Sequence, residues 1–224
     1  MRIVFVRHGE PDYAHDCLTE RGRIQAKLAA ERLREEGIEE IWSSPLGRAE
    51  ETAAAASAVL GLPVRTLDFM EEVTWGSTDG AELFAGGHPW AIADEMARQG
   101  IGLNRPDWRE SPYFRTNRVL DCIDRVEAGI DEWLSGFGYV REGEYYRHAA
   151  EEKRHKTVAV FSHGGSSCAA MGRILGLPFP YAIALLHLDF AGITVVRLDS
   201  RVGMGALPQL KYVNDISHLR SMAL

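Results

Sequence analysis

The chain has 224 residues, of which 46% are hydrophobic and 25% charged, and its formal net charge is -7 at pH 7. This composition is ordinary for a globular protein, and the length suffices for one α/β domain with a large core. The negative charge and the lack of a basic stripe argue against a nucleic-acid partner. Because an apolar strand begins at Arg2 and no apolar run approaches the roughly 18 residues of a membrane span, we expect no signal peptide, no membrane partner and a cytoplasmic protein.

The cysteines are too few and too far apart to form a disulfide framework or a zinc site. Cys17, Cys122 and Cys168 are odd in number and form no CxxC pair. Such cysteine usage predicts free thiols in a reducing compartment.

Apolar strands and helical patterns alternate through the first third of the chain. Short β-branched runs predict buried strands, and Thr19 is a suitable N-cap for the first helix. The predicted elements are a strand at 3–6, a helix at 19–37, a strand at 38–42, a helix at 46–60 and a strand at 64–67. This βαβαβ order predicts a parallel sheet with right-handed crossovers.

The alternation stops near residue 81, where glycine, proline and tryptophan become frequent. We interpret 81–116 as an insertion with one helix at 91–99 that covers a pocket as a lid. The remaining predicted elements are an amphipathic helix at 119–134, an exposed connector at 139–156, a strand at 157–161, a helix at 165–175, and final strands at 185–190, 193–198 and 207–213, with a hairpin turn at Ala191-Gly192. Residues 1–224 are therefore predicted to form a single domain.

Reactive and cationic side chains follow the predicted parallel strands at their carboxyl ends. Arg7 and His8 follow the first strand, Arg48 follows the second, Glu72 lies beyond the third, and His163 follows the fourth. Ligands of open α/β sheets bind beyond the carboxyl ends of the strands. Because those ends share one edge of the sheet, we expect these side chains to converge on one pocket.

These residue types are suited to phosphoryl transfer. A neutral His8 could attack phosphorus through a ring nitrogen and form a phosphohistidine. Arg7 and Arg48 can bind phosphate oxygens bidentately, and a protonated His163 would add another donor. The backbone N–H of Gly164, at the start of the next predicted helix, would contribute the anion-binding character of a helix N-terminus.

Glu72 is the expected general acid and base. It would protonate the leaving oxygen and later activate the water that hydrolyses the phosphohistidine. A metal site made of His8, His163 and Glu72 has suitable ligand types, but Arg7 and Arg48 beside it would repel a cation. We therefore predict no metal and no cofactor. Taken singly, each residue is also compatible with a structural or surface role, and their joint placement favours phosphoryl transfer.

The motifs around these residues resemble, in order, those of the histidine phosphatase superfamily, also called phosphoglycerate mutase-like. They are Val6-Arg7-His8-Gly9-Glu10, Leu18-Thr19-Glu20-Arg21-Gly22, Ser43 to Ala53, Glu72-Val73-Thr74-Trp75-Gly76, Phe161-Ser162-His163-Gly164-Gly165 and Asn214 to Leu219. The resemblance implies a three-layer α/β/α sandwich with a mixed, mainly parallel central sheet and a helical lid insertion. It also implies that Glu72 rather than Glu71 donates the proton, that no metal is required, and that His218 is structural.

The resemblance implies a phosphatase that hydrolyses a small phosphorylated substrate through phospho-His8. A phosphoglycerate mutase-type phosphotransferase and a non-catalytic phospho-ligand-binding protein are the alternatives, and the chain could form a homodimer. Compared with mutases, the loop after the first strand is short, Tyr13 is followed by Ala14 rather than asparagine, and the segment 77–80 brings no basic run. These departures favour hydrolysis over isomerisation.

The insertion 81–116 is expected to select the substrate. The candidates to line the pocket mouth are His88, Trp90, Arg105, Trp108, Arg109 and Arg115. For each tryptophan, packing of the insertion onto the core is an equally good interpretation.

Overall fold

Strands and helices alternate along the chain in a computed structural model that describes residues 1–149, 156–198 and 205–222. Over these residues the strands are β1 (Arg2–Arg7), β2 (Pro11–Asp12), β3 (Cys17–Leu18), β4 (Glu40–Ser43), β5 (Val64–Thr66), β6 (Tyr139–Glu142), β7 (Tyr145–His148), β8 (Thr157–Ser162), β9 (Ile193–Leu198), β10 (Gly205–Ala206) and β11 (Pro208–Asp215). The α-helices over the same residues are α1 (Glu20–Leu33), α2 (Gly47–Leu60), α3 (Pro89–Arg98), α4 (Val119–Ser135), α5 (Gly164–Leu175) and α6 (Phe179–Leu185).

The central sheet has the strand order β11-β9-β1-β8-β4-β5 within the described residues. Strands β1, β8, β4 and β5 run parallel, whereas β9 is antiparallel to β1 and β11 is antiparallel to β9. The predicted α/β fold with a mixed, mainly parallel sheet is therefore confirmed. Because β8 lies between β1 and β4, the segments that follow these three strands meet at one edge of the sheet.

Both faces of the sheet are buried at its centre, and β1 shows the two layers. Ile3 and Phe5 belong to one apolar cluster, together with side chains of α4 and α5. Val4 and Val6 belong to a second cluster, together with side chains of α1 and α2. Burial of each of these four side chains stabilises the fold by about 1.5–3 kcal/mol. Alternate residues of one strand thus anchor helices on opposite faces of the sheet.

The helices are short compared with the thickness of a membrane. Among the described residues, no single helix is both long and apolar enough to cross a bilayer. Helices α5 and α6 reach that length and apolarity only as a pair bent by 115°, and most of their residues are buried.

The segment 139–156, predicted to be an exposed connector, contains a half-buried hairpin. Strands β6 and β7 pair antiparallel, and β10 pairs with β7. Tyr139 and Tyr146 are fully buried, and the Tyr146 hydroxyl donates to Asp131 at 2.5 Å. The prediction was wrong because a tyrosine whose hydroxyl is hydrogen-bonded can be buried between charged neighbours. Residues 150–155 of the predicted connector lie outside the described part of the chain.

The predicted strand at 185–190 and the hairpin after it are also wrong. Helix α6 has Pro180 in its first turn, where the fixed φ of proline suits a helix. Residues 186–190 then run without regular structure to Ala191, whose backbone N–H donates to the carbonyl of Arg7 at 3.1 Å. Ala191 turns the chain into β9, which pairs with β1 and β11. This segment therefore crosses the carboxyl end of β1.

The base of the insertion 81–116 is closed by local pairing. Ser77 and Asn117 form an antiparallel bridge, and the buried side chain of Asn117 donates to the carbonyl of Gly87 at 2.8 Å. Helix α3 begins slightly earlier than predicted, because His88 is its N-cap. These contacts fix the turn that carries His88.

Candidate active site

The residues that follow β1 and β8 meet at the carboxyl edge of the sheet. Arg7 is in register with Ser162 across the two strands, and the ring centroids of His8 and His163 lie 5.1 Å apart. Both histidines are buried, with 1% and 0% of the residue exposed. The structure therefore brings together the two His-Gly segments in which the sequence analysis placed the chemistry.

The His8 ring has a defined tautomer. Its Nδ1 lies 2.7 Å from the carbonyl oxygen of Gly9, which can only accept, so Nδ1 carries the proton and Nε2 holds the lone pair. Burial lowers the pKa of His8 to about 3, and the charges of Arg7 and Arg48 act in the same direction. At neutral pH the ring is therefore uncharged and its Nε2 can act as a nucleophile.

His163 is held by the segment that follows β4. Its Nε2 is hydrogen-bonded to Ser44 Oγ at 2.8 Å, whereas its buried Nδ1 has no hydrogen-bond partner among the described residues. Burial, followed by the charges of His8, Arg48 and Arg7, lowers the pKa of His163 to about 2. This lowered pKa favours the neutral ring, and a bound anion would raise the pKa and favour the charged form.

Arg7 links the histidines to an open cavity. Its Nη1 donates to the carbonyl of Leu188 at 2.5 Å, and its guanidinium carbon lies 4.2 Å from the centre of the Phe190 ring. These contacts fix the plane of the guanidinium. Its buried Nε has no hydrogen-bond partner in the part of the chain that the structure describes, so this donor is left for a ligand.

Arg48 lies in the first turn of α2 and is 8% exposed. Its Nη1 is paired with the carboxylate of Asp16, which also accepts from the Gly47 N–H at 2.8 Å. The Tyr13 ring centre lies 5.5 Å from the guanidinium carbon. Like the Nε of Arg7, the buried Nε of Arg48 has no partner within the described residues.

Glu72 is held against the first turn of α5. Its Oε1 accepts from the N–H groups of Val73 at 2.8 Å and Ser166 at 3.0 Å, and its Oε2 accepts from Gly165 at 3.3 Å. Burial raises the pKa of Glu72, against the effect of these N–H groups. A Cβ at Gly165 would lie 2.8 Å from Oε1 and 2.3 Å from the Val73 side chain, so only glycine leaves room for this carboxyl group.

A cavity of about 330 Å³ opens beside these residues. It is lined by Arg7, Tyr13, Glu72, Val73, Trp75, His88, Trp90, Gly164, Cys168, Leu186, His187 and Leu188. Arg7, Glu72 and Gly164 belong to both the cavity wall and the predicted site. The charge of Arg7 lowers the pKa values of His8 and His163.

The cysteines and the possible metal ligands are distributed as follows. Cys17, Cys122 and Cys168 are free thiols. Within the described residues, no three His, Cys, Asp or Glu side chains are grouped so that they could hold a metal ion. The positive charge near His8 comes from Arg7 and Arg48.

Comparison with known proteins identifies the family. Residues 3–134 match the family model of the histidine phosphatase superfamily (branch 1). The chain belongs to this superfamily. It is 34% identical over 241 residues to a probable phosphoglycerate mutase of Photorhabdus laumondii, covering 100% of this chain and 97% of that protein. It is 33% identical over 216 residues to phosphoserine phosphatase 1 of Hydrogenobacter thermophilus, covering 90% and 88%.

The solved structures agree with this histidine phosphatase fold. A mycobacterial glucosyl-3-phosphoglycerate phosphatase in complex with inorganic phosphate is similar over 97% of this chain and 98% of its own length. The TM-score is 0.66 and the sequence identity is 26%. The similarity therefore extends through β8 and α5, which lie beyond the matched residues 3–134 of the family model.

Of the six residues of the insertion 81–116 that were predicted to line the pocket mouth, two line the cavity. His88 and Trp90 line it. Trp108 is buried against Phe114 and Phe179. The three arginines lie elsewhere: Arg105 pairs with Asp107, Arg109 pairs with Asp124 and Glu127, and Arg115 is exposed.

Several cavity residues were not among the predicted site residues. Leu186, His187, Leu188 and the adjacent Phe190 belong to the segment that the sequence analysis interpreted as a strand. The proline in the first turn of α6 was the signal that a helix precedes this segment. Asp16 has a positive φ of 48°, and no local pattern indicates that it pairs with Arg48.

Proposed function

We propose that this histidine phosphatase is a metal-independent hydrolase of a small phosphate monoester, acting through a phosphohistidine at His8. The observation that carries the proposal is a set of unpartnered buried nitrogens around a neutral histidine. In the described residues, Arg7 Nε, Arg48 Nε and His163 Nδ1 all lack a hydrogen-bond partner. Buried polar groups without a partner are rare in proteins, and a phosphate group would supply oxygens for them.

In the first step, Nε2 of His8 attacks phosphorus and the phosphorus–oxygen ester bond breaks. Arg7 and Arg48 bind the non-bridging oxygens, where the guanidinium geometry matches phosphate. His163 binds the same group through its free ring nitrogen, and the dianion favours protonation of that ring. The product is phospho-His8 and an alcohol.

Glu72 accounts for the protons in both steps. Its raised pKa favours the protonated carboxyl, which gives its proton to the leaving oxygen as the ester bond breaks. The resulting carboxylate then takes a proton from a water molecule, which attacks phosphorus and breaks the phosphorus–nitrogen bond. Inorganic phosphate leaves, and both His8 and Glu72 return to their starting forms.

Hydrolysis fits the cavity better than mutase-type transfer. The relatives named above include both a phosphatase and a probable phosphoglycerate mutase, so the family alone does not decide. A mutase has to bind an intermediate that carries two phosphate groups, because the enzyme's phosphoryl group is added before the other one leaves. Arg7 is the one lysine or arginine that lines the cavity in the described residues, which favours a substrate with one phosphate.

The test is a phosphatase assay with p-nitrophenyl phosphate, comparing the wild type with His8→Ala and with His15→Ala as a matched control. His15 is an exposed histidine paired with Asp12, so its loss should leave the rate unchanged. We expect His8→Ala to lose more than about 99% of the activity and to form no acid-labile phosphoenzyme. Substantial turnover by His8→Ala, or activity that EDTA abolishes and zinc restores, would contradict the mechanism.

A further inference from the structure

Aromatic rings form part of the cavity wall beyond the residues of the proposed mechanism. The ring centroids of Trp75 and His88 lie 4.8 Å apart, those of His88 and Trp90 5.4 Å, and those of Trp75 and Trp90 6.4 Å. Trp75 is 39% exposed although it lines the cavity. A tryptophan that remains exposed in a cavity wall presents apolar surface to a ligand.

Trp90 lies next to the guanidinium that is proposed to bind phosphate. A Cβ built at Gly164 would lie 3.5 Å from Cζ2 of Trp90 and 3.8 Å from Cζ of Arg7. The indole and the guanidinium therefore flank the same point of the backbone. The group esterified to a phosphate on Arg7 has to lie beside this indole.

The other side chains of the wall are mostly apolar. Val73, Leu186 and Leu188 are buried and line the cavity. Its volume of about 330 Å³ is at the small end of the range for ligand sites. The cavity thus has room for a phosphate and one ring rather than for a long chain.

Among the described residues, the cavity wall offers no second cation from lysine or arginine. Of these two residue types only Arg7 lines it within the described residues, and its Nη1 is already bonded to Leu188. Glu72 adds negative charge to the same wall whenever it is ionised. A carboxylate buried there without a partner would be costly, so the wall disfavours a substrate with a carboxylate next to its ester.

The two cavity histidines differ in their surroundings. His88 Nδ1 accepts from the N–H of Ala91 at 3.3 Å, so its proton is on Nε2, where it can donate to a hydroxyl or a carbonyl. His187 has 77% of its side chain exposed and lies 3.6 Å from Asp189. It is therefore at the mouth of the cavity, beside a carboxylate of the protein.

We propose that the substrate is the phosphate ester of an alcohol built on a single uncharged ring, without a carboxylate near the ester oxygen. The ring lies against Trp75 and Trp90, and an oxygen on it accepts from His88. This inference rests on the proposed hydrolysis at His8. Phosphoserine, phosphoglycerate and glucosyl-3-phosphoglycerate, which occur in the names of the relatives, all carry a carboxylate, so this chain differs from them in its substrate.

The first test compares primary alkyl phosphates, whose leaving oxygens are chemically similar. Benzyl phosphate and glucose 6-phosphate represent aromatic and sugar rings, and O-phosphoserine and 3-phosphoglycerate represent acyclic carboxylated esters. We expect kcat/KM for at least one ring ester to exceed that of both carboxylated esters by about tenfold or more, a difference typical of one aromatic contact and one unpaired charge. A smaller preference, or a higher kcat/KM for either carboxylated ester, would overturn the inference.

The second test changes the aromatic wall. Trp75→Ala and Trp90→Ala should raise KM for the preferred ring ester about tenfold and raise KM for ethyl phosphate, which has no ring, by a much smaller factor. Trp75→Phe keeps an aromatic ring, so its KM for the preferred ring ester should be close to that of the wild type. Phe84→Ala is the matched control. Like Trp90, Phe84 is an aromatic residue of the insertion 81–116, but it is exposed and does not line the cavity.

Trp75→Arg provides a test by gain of function. A cation on the cavity wall should raise kcat/KM for O-phosphoserine and lower it for benzyl phosphate. Equal losses on all esters in Trp75→Ala and Trp90→Ala would contradict the proposed substrate class alone. A wild type that turns over no ester and forms no phosphoenzyme would contradict the proposed hydrolysis itself, so the two failures can be told apart.

Discussion

At the scale of single residues, burial shifts the pKa values of His8 and Glu72 in opposite directions. Burial disfavours the charged form of any group, so it lowers the pKa of His8 to about 3 and raises that of Glu72. The proposed reaction starts with an unprotonated nucleophile and a protonated acid, and burial shifts the pKa of each group in the direction that this requires. Enzymes that need an acid and a base at the same pH separate their pKa values in this way.

Glu72→Gln tests the role of the carboxyl group. We expect kcat for benzyl phosphate to fall about 100-fold or more, because its alkoxide leaves poorly without a proton. The loss for p-nitrophenyl phosphate should be much smaller, since its leaving group hardly needs one. Glu71→Gln is the control, because Glu71 pairs with Arg125 and should be dispensable. Equal losses of Glu72→Gln on both substrates would remove the residue from the general-acid role.

At the scale of elements, the segment 186–190 orients the site although it has no regular structure. Leu188 bonds Arg7 through its carbonyl, and Phe190 lies 4.2 Å from the Arg7 guanidinium carbon and 5.6 Å from the His8 ring centre. Loops that are held by a rigid sheet commonly carry functional residues. The segment thus holds the cation and the nucleophile in one relative position.

Phe190→Leu tests this orienting contact. Leucine keeps the apolar volume but not the cation–π contact, so we expect KM to rise about threefold to tenfold with little change in kcat. Phe190→Tyr retains the ring and should behave as the wild type does. If the leucine variant lowers kcat and leaves KM unchanged, then Phe190 does not act by orienting Arg7 for binding.

Asn117 holds the base of the insertion 81–116 in place. It is buried and bonds both Gly87 and the N–H of Val119. We expect Asn117→Ala to lower the free energy of unfolding by about 1–3 kcal/mol, measured by urea denaturation. Asn104→Ala, which changes an exposed asparagine of the same insertion, should stay near the wild type. An equal loss of unfolding free energy in both variants would contradict this role of Asn117, because it would mean that substitutions anywhere in the insertion destabilise the protein.

The sequence predicted those parts of the molecule in which local pattern and tertiary role coincide. Strands β1 and β8 are apolar runs ended by His-Gly, so their ends and the proximity of His8 and His163 followed from strand direction alone. The segment 186–190 was misassigned because a buried irregular segment and a strand have the same apolar composition. The pairing of Asp16 with Arg48 depends on how two loops pack, which no local spacing encodes.

At the scale of the whole molecule, burial of His8 and His163 makes folding depend on acidity. His8 and His163 have pKa values of about 3 and about 2 when folded, below the value of about 6.5 in an unfolded chain. As the pH falls below 6.5, the unfolded chain takes up protons that the folded protein does not. The stability that these neutral rings contribute is therefore present above pH 6.5 and is lost toward pH 3.

Acid denaturation measures this effect directly. Between pH 6.5 and 5 we expect each histidine to lower the free energy of unfolding by about 1.5 kcal/mol. In His163→Asn the decline over this range should be smaller by about 1.5 kcal/mol, because the contribution of this ring is gone. Inorganic phosphate that binds the folded site should raise the stability at each pH. An unchanged slope in His163→Asn would show that its ring is not kept neutral by the fold.

Because Glu72 accepts hydrogen bonds from the first turn of α5, its ionisation state should affect how well that turn is ordered. Ionised carboxylates accept hydrogen bonds more strongly than neutral ones, and negative charge stabilises a helix N-terminus. On the proposed mechanism Glu72 is ionised only while phosphate is attached to His8. The turn that carries His163 would then be most protected from hydrogen exchange in the phosphoenzyme, and it would loosen again when the proton returns and inorganic phosphate departs.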